Sequence, residues 1–202
     1  SEWWVFEVGA DTTYTYECAT TNNTNSTYTL TIEASTPAVA PGTTYRFYVN
    51  MVDPTDRMAA VFGNNLDHLV INTPDGAYNF EYETQPFWSA AGINPGFLPM
   101  FPEMADDTYG TIGLTGPAST SGIAGAEDPS IVHDPTQPVT PYFTIDGATF
   151  VEATTLVGSA WYVLNTAANG LPDADGRVLI MQVTTTGDIS GTLNSLVFPL
   201  GV

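Results

Sequence analysis

The chain has 202 residues, of which 43% are hydrophobic and 12% aromatic, and this composition excludes an intrinsically disordered protein. Its formal net charge of −19 comes from 22 Asp and Glu residues against three arginines. Binding to nucleic acid or to anionic lipid requires clustered basic side chains, so neither class of function is expected. No apolar stretch reaches the about 18 residues that a membrane-spanning helix needs. The first residues lack the basic segment that opens a signal peptide.

Apolar and aromatic residues alternate with polar ones through the N-terminal half of the chain, a pattern typical of β-strands. Residues 12–20 and 26–34 both alternate in this way. A polar turn joins them, so they predict an antiparallel hairpin. Further strands are predicted at residues 43–52, 57–63 and 68–73.

The rest of the chain mixes loops with one clear pair of strands. Prolines interrupt residues 93–110, so one or two helical turns at most are expected there. Residues 115–141 are rich in Gly, Pro, Ser and Thr, and we predict a long ordered loop. Residues 177–186 and 189–199 predict a long hairpin whose first strand is central in a sheet. Together these elements predict a single all-β domain over residues 1–202, an antiparallel β-sandwich or jelly-roll-like fold with long Gly/Pro-rich loops.

The acidic stretch NGLPDADGR is the first candidate for a metal site. Asp173, Asp175 and the amide of Asn169 offer the oxygen ligands that Ca²⁺ prefers. The register of an EF-hand loop fails, because Leu171 and Gln182 stand where its first and last ligands belong. Asn-Gly, Asp-Gly and proline are also what a rigid turn requires. We therefore predict a turn, and we retain calcium as the cofactor that these three oxygen-bearing residues would hold.

Two other groups of carboxylates are candidates for chemistry. Glu81 and Glu83 alternate on a strand-like segment and would share one face about 6–7 Å apart, as in a jelly-roll glycoside hydrolase. The segment ends directly afterwards, which favours two solvated glutamates. Glu103, Asp106 and Asp107 precede a predicted strand, where they are suited to accept backbone hydrogen bonds. They would complete a cation site only if the fold brings them to the acidic stretch described above.

Phe87 and Trp88 lie in a Pro/Gly-rich loop, where an exposed aromatic pair would act as a carbohydrate platform or as an anchor for another protein. Asn22 and Asn25 begin two N-glycosylation sequons in a polar turn, which favours a secretory compartment. Cys18 is the single cysteine, so no intrachain disulfide can form, and its alternating position predicts a small buried side chain.

No set of catalytic residues is recognisable in the sequence. It holds no nucleophile elbow, phosphate-binding loop or pair of cysteines, and no histidine spacing typical of a metal site. Two histidines leave little for acid–base chemistry at neutral pH. We therefore predict that the protein is not an enzyme.

The segments INPGF and FPEMADDTYGTIGL between residues 93 and 114, with AWYVL and RVLIMQVTT between residues 160 and 185, form a recurring pattern. This pattern resembles a group of mostly uncharacterised acidic β-rich domains of marine algae and bacteria. The likeness extends over about residues 45–200, and no catalytic residue comes with it. The resemblance implies a secreted or matrix-type protein. A looser similarity to the self-assembling pyrenoid shell proteins of algae implies assembly into a layer.

These observations predict a non-catalytic structural protein that assembles with copies of itself into a filament, sheet or matrix. A carbohydrate-binding or calcium-assisted adhesion module is the alternative, followed by a glycoside hydrolase. Copies that each carry −19 can pack only where their acidic faces avoid one another or trap cations. The expected partners are further copies of the chain and polysaccharide. An extracellular or cell-surface location is expected, with an algal plastid as the alternative.

Overall fold

The computed structural model describes residues 1–9, 12–17, 28–81 and 87–202. In this part of the chain every regular element is a β-strand or a short 3-10 turn, so the all-β prediction is confirmed. The 3-10 turns span Ala90–Gly92, Pro102–Asp106, Ala118–Thr120, Thr140–Phe143, Ala168–Gly170 and Pro199–Gly201. The strands are β1 Glu2–Val8, β2 Tyr14–Glu17, β3 Thr29–Ser35, β4 Thr43–Asn50, β5 Arg57–Gly63, β6 Leu69–Ala77, β7 Tyr109–Gly110, β8 Ser130–His133, β9 Ala148–Ala153, β10 Ser159–Tyr162, β11 Arg177–Thr185 and β12 Ile189–Phe198.

The strands pair antiparallel and form two layers. In the first layer the order is β2–β3–β4–β11, and β7 pairs with β11 on its other side. In the second layer β12 pairs with β1 along one edge and with β5 and β6 along the other. This layer continues from β5 to β10 and β8, and from β6 to β9. A single register pair, Thr185 with Ala77, connects the two layers.

The inner faces of the two layers close over the main hydrophobic core. Phe6 of β1 packs edge-on against Phe47 of β4, with ring centroids 5.2 Å apart, although the two strands do not pair. The indole of Trp161 in β10 crosses in the same way, and its Nε1 donates to the Ile180 carbonyl of β11 at 3.1 Å. Alternation along each strand supplies this core, because every second side chain points inward.

A long excursion covers the outer face of the first layer. Tyr48 of β4 and Leu179 of β11 point outward, yet both are at least nine-tenths buried. They pack with Ala90, Ile93 and Leu114 in a second hydrophobic cluster. The sequence predicted no second core. The small cluster arises because residues 88–118 fold back over the outer face of their own sheet.

The predicted C-terminal hairpin is wrong. β11 pairs with β4 and β7, whereas β12 pairs with β1, β5 and β6. The Gly187-Asp188 turn therefore carries the chain from one layer to the other. The central position of β11 is as expected, since it has a partner on both sides.

Several smaller expectations have mixed outcomes. The β2–β3 hairpin is confirmed. The predicted loop at 115–141 contains β8, which pairs with β10. Residues 79–81 belong to no strand, although the sequence predicted a strand-like segment around Glu81. In the described residues no helix is long and apolar enough to cross a membrane.

Candidate functional site

Part of the outer face of the second layer is uncharged and partly apolar. Residues paired directly across antiparallel strands project to the same face, so the register identifies its members. One row crosses five strands through Trp3, Asn194, Phe62, Ala160 and Val132. A second row holds Leu196, Ala60, Tyr162 and Ser130, and Val5 pairs with Thr192 beside them. We call this set the neutral face.

None of the side chains of the neutral face carries a charge, although the chain carries −19 in all. Val5 and Val132 are each 54% exposed and Leu196 is 38% exposed. Single exposed apolar residues are normal on a protein surface, but contiguous apolar patches mark interaction sites. Two carboxylates border the face on the same side of the sheet. Glu7 follows Val5 along β1, and Glu152 of β9 lies in the row of Val5 and Thr192, next to Val70.

The two outer faces of the sandwich differ in how far other segments of the chain cover them. Residues 88–118 cover the outer face of the first layer and bury Tyr48 and Leu179. The neutral face is unevenly exposed: Val5 and Val132 on its two outer strands are 54% exposed, whereas Asn194 and Ala60 between them are only 1% and 9% exposed.

Two loops leave the second layer side by side. Phe62 and Val70 pair with β12 residues that are only two positions apart, so residues 64–68 loop out of a nearly continuous strand. Ala153 pairs with Leu69 and Ser159 with Gly63, so residues 154–158 loop out at the same place. We call these two loops the twin excursions. They present three of the most exposed large apolar side chains, Leu66 at 83%, Leu156 at 82% and Val157 at 75%.

The first excursion is fixed to the sheet by its own polar groups. The Asn64 Oδ1 accepts hydrogen bonds from the backbone N–H groups of Leu66 and Asp67, at 2.7 and 2.9 Å. Asn194 of the neutral face donates from Nδ2 to the His68 carbonyl at 2.7 Å. These bonds hold both ends of the loop, so the apolar tip is presented in one orientation.

The second excursion is held in the same manner. The Thr155 hydroxyl donates to Asp134 Oδ2 at 2.6 Å and accepts from the Gly158 N–H at 3.2 Å. The Gly158 carbonyl accepts from the Asp134 N–H at 2.9 Å. Gly158 has φ +72°, and a Cβ there would lie 2.3 Å from the Gly63 carbonyl oxygen. A side chain at this position is excluded both by backbone conformation and by space.

The acidic stretch of residues 169–177 forms a closed turn at one end of the first layer. The Asp173 Oδ1 accepts from the Asp175 and Arg177 N–H groups at 2.9 and 3.1 Å. Arg177 also forms ion pairs with Asp173 and Asp175 at 3.8 Å and with Glu33. The turn prediction thus matches the geometry of the loop.

The structure turns Asn169 away from these carboxylates. Asn169 is 1% exposed, and its Nδ2 donates to the carbonyls of Ile112 and Glu127 at 2.7 and 3.0 Å. Its Oδ1 accepts from the Glu127 N–H at 2.9 Å. Asn169 therefore fastens the covering loops to the sandwich, and the predicted trio with Asp173 and Asp175 is not formed. Within the described ranges no three His, Cys, Asp or Glu side chains are grouped to hold a metal ion.

A cleft of about 240 Å³ lies beside this turn. The β4–β5 connection forms one wall and the acidic turn forms the other. The carboxylate of Asp53 is already bonded to the Thr55 N–H and hydroxyl at 2.8 and 2.6 Å. Val52, which lines the cleft, is 59% exposed. The lining consists of Met51, Val52, Asp53, Pro54, Pro172, Asp173, Ala174 and Gly176.

The carboxylates at 103–107 do not join the acidic turn. Asp106 is buried and accepts from three successive backbone N–H groups, those of Ala38, Val39 and Ala40, at 2.6 to 2.8 Å. That loop precedes β4, whereas the acidic turn lies near its far end, and eight strand residues span about 23 Å. The combined cation site considered from the sequence is therefore ruled out by distance.

Asp107 is a buried carboxyl group with an unusual pKa. Burial raises its pKa to about 8, and the charge of Asp146 acts in the same direction. The Phe80 N–H, which donates to Asp107 Oδ1 at 2.8 Å, and the Thr108 N–H lower the pKa but do not offset burial. Asp107 is therefore largely protonated at neutral pH.

The predicted aromatic platform is divided between two environments. Phe87 is 44% exposed. Trp88 is half-buried and packs against the main core, and its carbonyl accepts from the Gly110 N–H at 3.0 Å. The two rings thus do not form a jointly exposed pair. The remaining residues singled out from the sequence lie outside the described residues: Cys18, Asn22, Asn25 and Glu83.

All three basic side chains of the protein are engaged within it. Arg46 donates from Nε to Gln182 Oε1 at 2.8 Å, and Arg57 donates to the Ala167 carbonyl at 3.0 Å. The guanidinium of Arg177 lies 4.0 Å from the centroid of the Tyr48 ring, in addition to its ion pairs. The remaining surface charge is therefore almost entirely negative.

No protein-family model matches the chain, and no curated protein or solved structure does so either. Function is consequently argued from the neutral face, the twin excursions and the distribution of charge.

Proposed function

We propose that this protein is a non-catalytic structural protein whose copies assemble through the neutral face. The observation that carries the proposal is an uncharged sheet surface, five strands wide, on a chain of net charge −19. The proposed partner is a second copy of the chain, which presents the same surface.

Electrostatics favours the neutral face over every acidic surface for contact between copies. Bringing two like-charged surfaces together raises the free energy of association, and the cost grows as water is excluded. Two neutral faces meet without placing carboxylates opposite one another. The face is uncharged, so it has no attraction to offer a strongly basic partner. A second copy therefore fits its chemistry better.

The size of the face sets the expected strength of the contact. Five strands about 4.8 Å apart, with two outward positions on each and a third on β12, cover roughly 20 by 10 Å. A standard stable interface buries about 800 Å² on each partner, which is more than this face offers alone. Pairing through the face is therefore weak and depends on concentration and salt. An extracellular saline medium suits such a protein, because salt screens the repulsion between acidic copies.

Val132→Asp tests the proposal because it places a carboxylate within the contact, at an exposed position of its edge strand β8. We expect wild-type particles to grow with protein concentration at 1 M salt, where the Debye length is about 3 Å, and not at 0.01 M, where it is about 30 Å. In the variant, growth should require at least about tenfold more protein, as expected for an unpaired charge in an interface. Sedimentation velocity across both salt concentrations measures this.

Val39→Asp is the matched control, since Val39 is 58% exposed on a turn next to the first layer. It adds the same charge outside the neutral face and should leave the size distribution unchanged. A wild-type chain that stays monomeric at every concentration and salt would contradict the proposal. Equal loss of growth in both variants would contradict the assignment to the neutral face.

A further inference from the structure

The twin excursions suggest a second contact between copies. Their apolar tips stand free of the sheet, yet hydrogen bonds at Asn64 and Thr155 hold both loops in one shape. A loop that is fixed in shape loses little conformational entropy when it docks. Exposed leucine and valine tips of this kind are suited to insertion into an apolar recess.

We infer that the second of the twin excursions, residues 154–158, docks from one copy into the cleft beside Pro54 and Pro172 of another copy. This inference rests on the proposed function, and it extends an assembly that the neutral face alone would stop at a pair. A contact between two different surfaces is heterologous, so it propagates into a filament or closes into a ring.

The fit rests first on volume. An apolar cavity of about 150 Å³ accommodates a benzene molecule, whereas the cleft measures about 240 Å³. The aliphatic side chains of Leu156 and Val157 together have about one carbon more than benzene, so the cleft has room for both. Met51, Val52, Pro54, Pro172 and Ala174 give it the apolar lining that these side chains require.

The fit rests secondly on charge. Asp53 and Asp173 belong to the cleft, so a negatively charged partner segment would be repelled. The first excursion carries Asp67 and would be repelled in this way, whereas residues 154–158 carry no charge and can approach without repulsion. Both carboxylates already accept hydrogen bonds from their own loops, at Thr55 and at Asp175. Docking therefore does not leave them without partners.

Two variants test the inference, one for each side of the contact. Leu156→Asp charges the tip of the second excursion, and Val52→Asp charges the lining of the cleft. Both side chains are more than half exposed, so neither change should alter the melting temperature. At 1 M salt we expect wild-type polymers, measured by light scattering and electron microscopy, whereas each variant alone should stop at the pair formed by the neutral face.

Mixing the two variants gives the sharpest readout. Leu156→Asp chains keep an intact cleft, and Val52→Asp chains keep an intact second excursion. In the mixture, docking contacts between unlike chains can alternate with pairs formed through the neutral face, so a polymer can grow. We expect the equimolar mixture to regain growth that neither variant shows alone. This complementation is specific to a heterologous contact, because each variant has lost only one of the two different surfaces that meet in it.

The outcomes separate this inference from the proposed function. If Leu156→Asp polymerises like the wild type, or if the mixture does not regain growth, docking in the cleft is overturned while pairing through the neutral face stands. If the wild type forms pairs and nothing larger, the same conclusion holds. If the wild type is monomeric throughout, the proposed function fails and the docking contact fails with it.

Discussion

Raising the pH from 4 to 8 should destabilise this protein by several kcal/mol through Asp107, and Asp107→Asn should remove that part of the loss. The folded-state pKa of Asp107 is about 8, against 3.8 for an ordinary aspartate. Between these values the folded chain keeps a proton that the unfolded chain has released. Stability therefore falls as the pH rises through this range, by up to about 1.4 kcal/mol per pH unit and by on the order of 5 kcal/mol in all.

The direction of this effect follows from the burial of the carboxyl group. Its contribution is fully present below about pH 4 and is lost once the pH passes 8, where both states are ionised. Asparagine has the shape of the protonated acid and keeps an oxygen for the Phe80 N–H. We expect the variant to be more stable than the wild type at pH 8 and to lose less stability on going from pH 4 to 8.

Urea unfolding of both proteins at half-unit pH intervals measures the difference. Other carboxylates also respond to pH in so acidic a chain, so only the gap between wild type and variant reports on Asp107. Two parallel curves would show that Asp107 is ionised normally in the folded protein. Asp175→Asn provides a control at an exposed carboxylate and should leave the curve unchanged in shape.

Trp161→Ala should cost about 3–5 kcal/mol of unfolding free energy, the range expected when a large buried aromatic side chain is truncated. Trp161 is fully buried and packs edge-on against Phe143, with centroids 5.5 Å apart. Its Nε1–H bond to the Ile180 carbonyl links β10 in one layer with β11 in the other. The truncation therefore removes packing and a connection between layers together.

Thermal unfolding checks this expectation, since about 1 kcal/mol corresponds to about 2–4 °C for a chain of this length. Phe150→Ala is the matched control, because Phe150 is an aromatic residue of β9 that is 51% exposed. It should change stability by less than about 0.5 kcal/mol. Similar losses in the two variants would contradict the central role of Trp161. Trp161→Phe should lose less, because it keeps most of the packing and gives up only the hydrogen bond.

The sequence predicted those strands whose alternation is long and uninterrupted. The β2–β3 hairpin, β4, β5 and β11 were foreseen, because each carries enough inward-facing apolar residues to set the period. The pairing of β11 with β12 was predicted wrongly. Alternation reports that a strand has a buried face, but it does not report which strand lies beside it. A short turn such as Gly187-Asp188 suits a hairpin and a crossing between layers equally well.

The candidate interaction surface was beyond sequence reasoning for a related reason. Its side chains are every second residue of five strands that lie far apart in the chain, and only the register brings Trp3, Phe62 and Val132 into one row. The sequence analysis did not predict β1, in which Trp4, Phe6 and Val8 point inward and whose partner β12 lies near the other end of the chain. The roles of Asn169 and Asp106 also depend on loops brought together from distant positions.

The engagement of all three arginines has a consequence for proteolysis. A protease that cuts after basic residues has only the bonds following Arg46, Arg57 and Arg177 to attack, since the chain contains no other basic residue of this kind. Each of these bonds lies within a strand, and each side chain is bound inside the fold. Cleavage by trypsin therefore requires the sheets to open, so the rate of tryptic digestion reports on unfolding of the sandwich instead of on nicking of its loops.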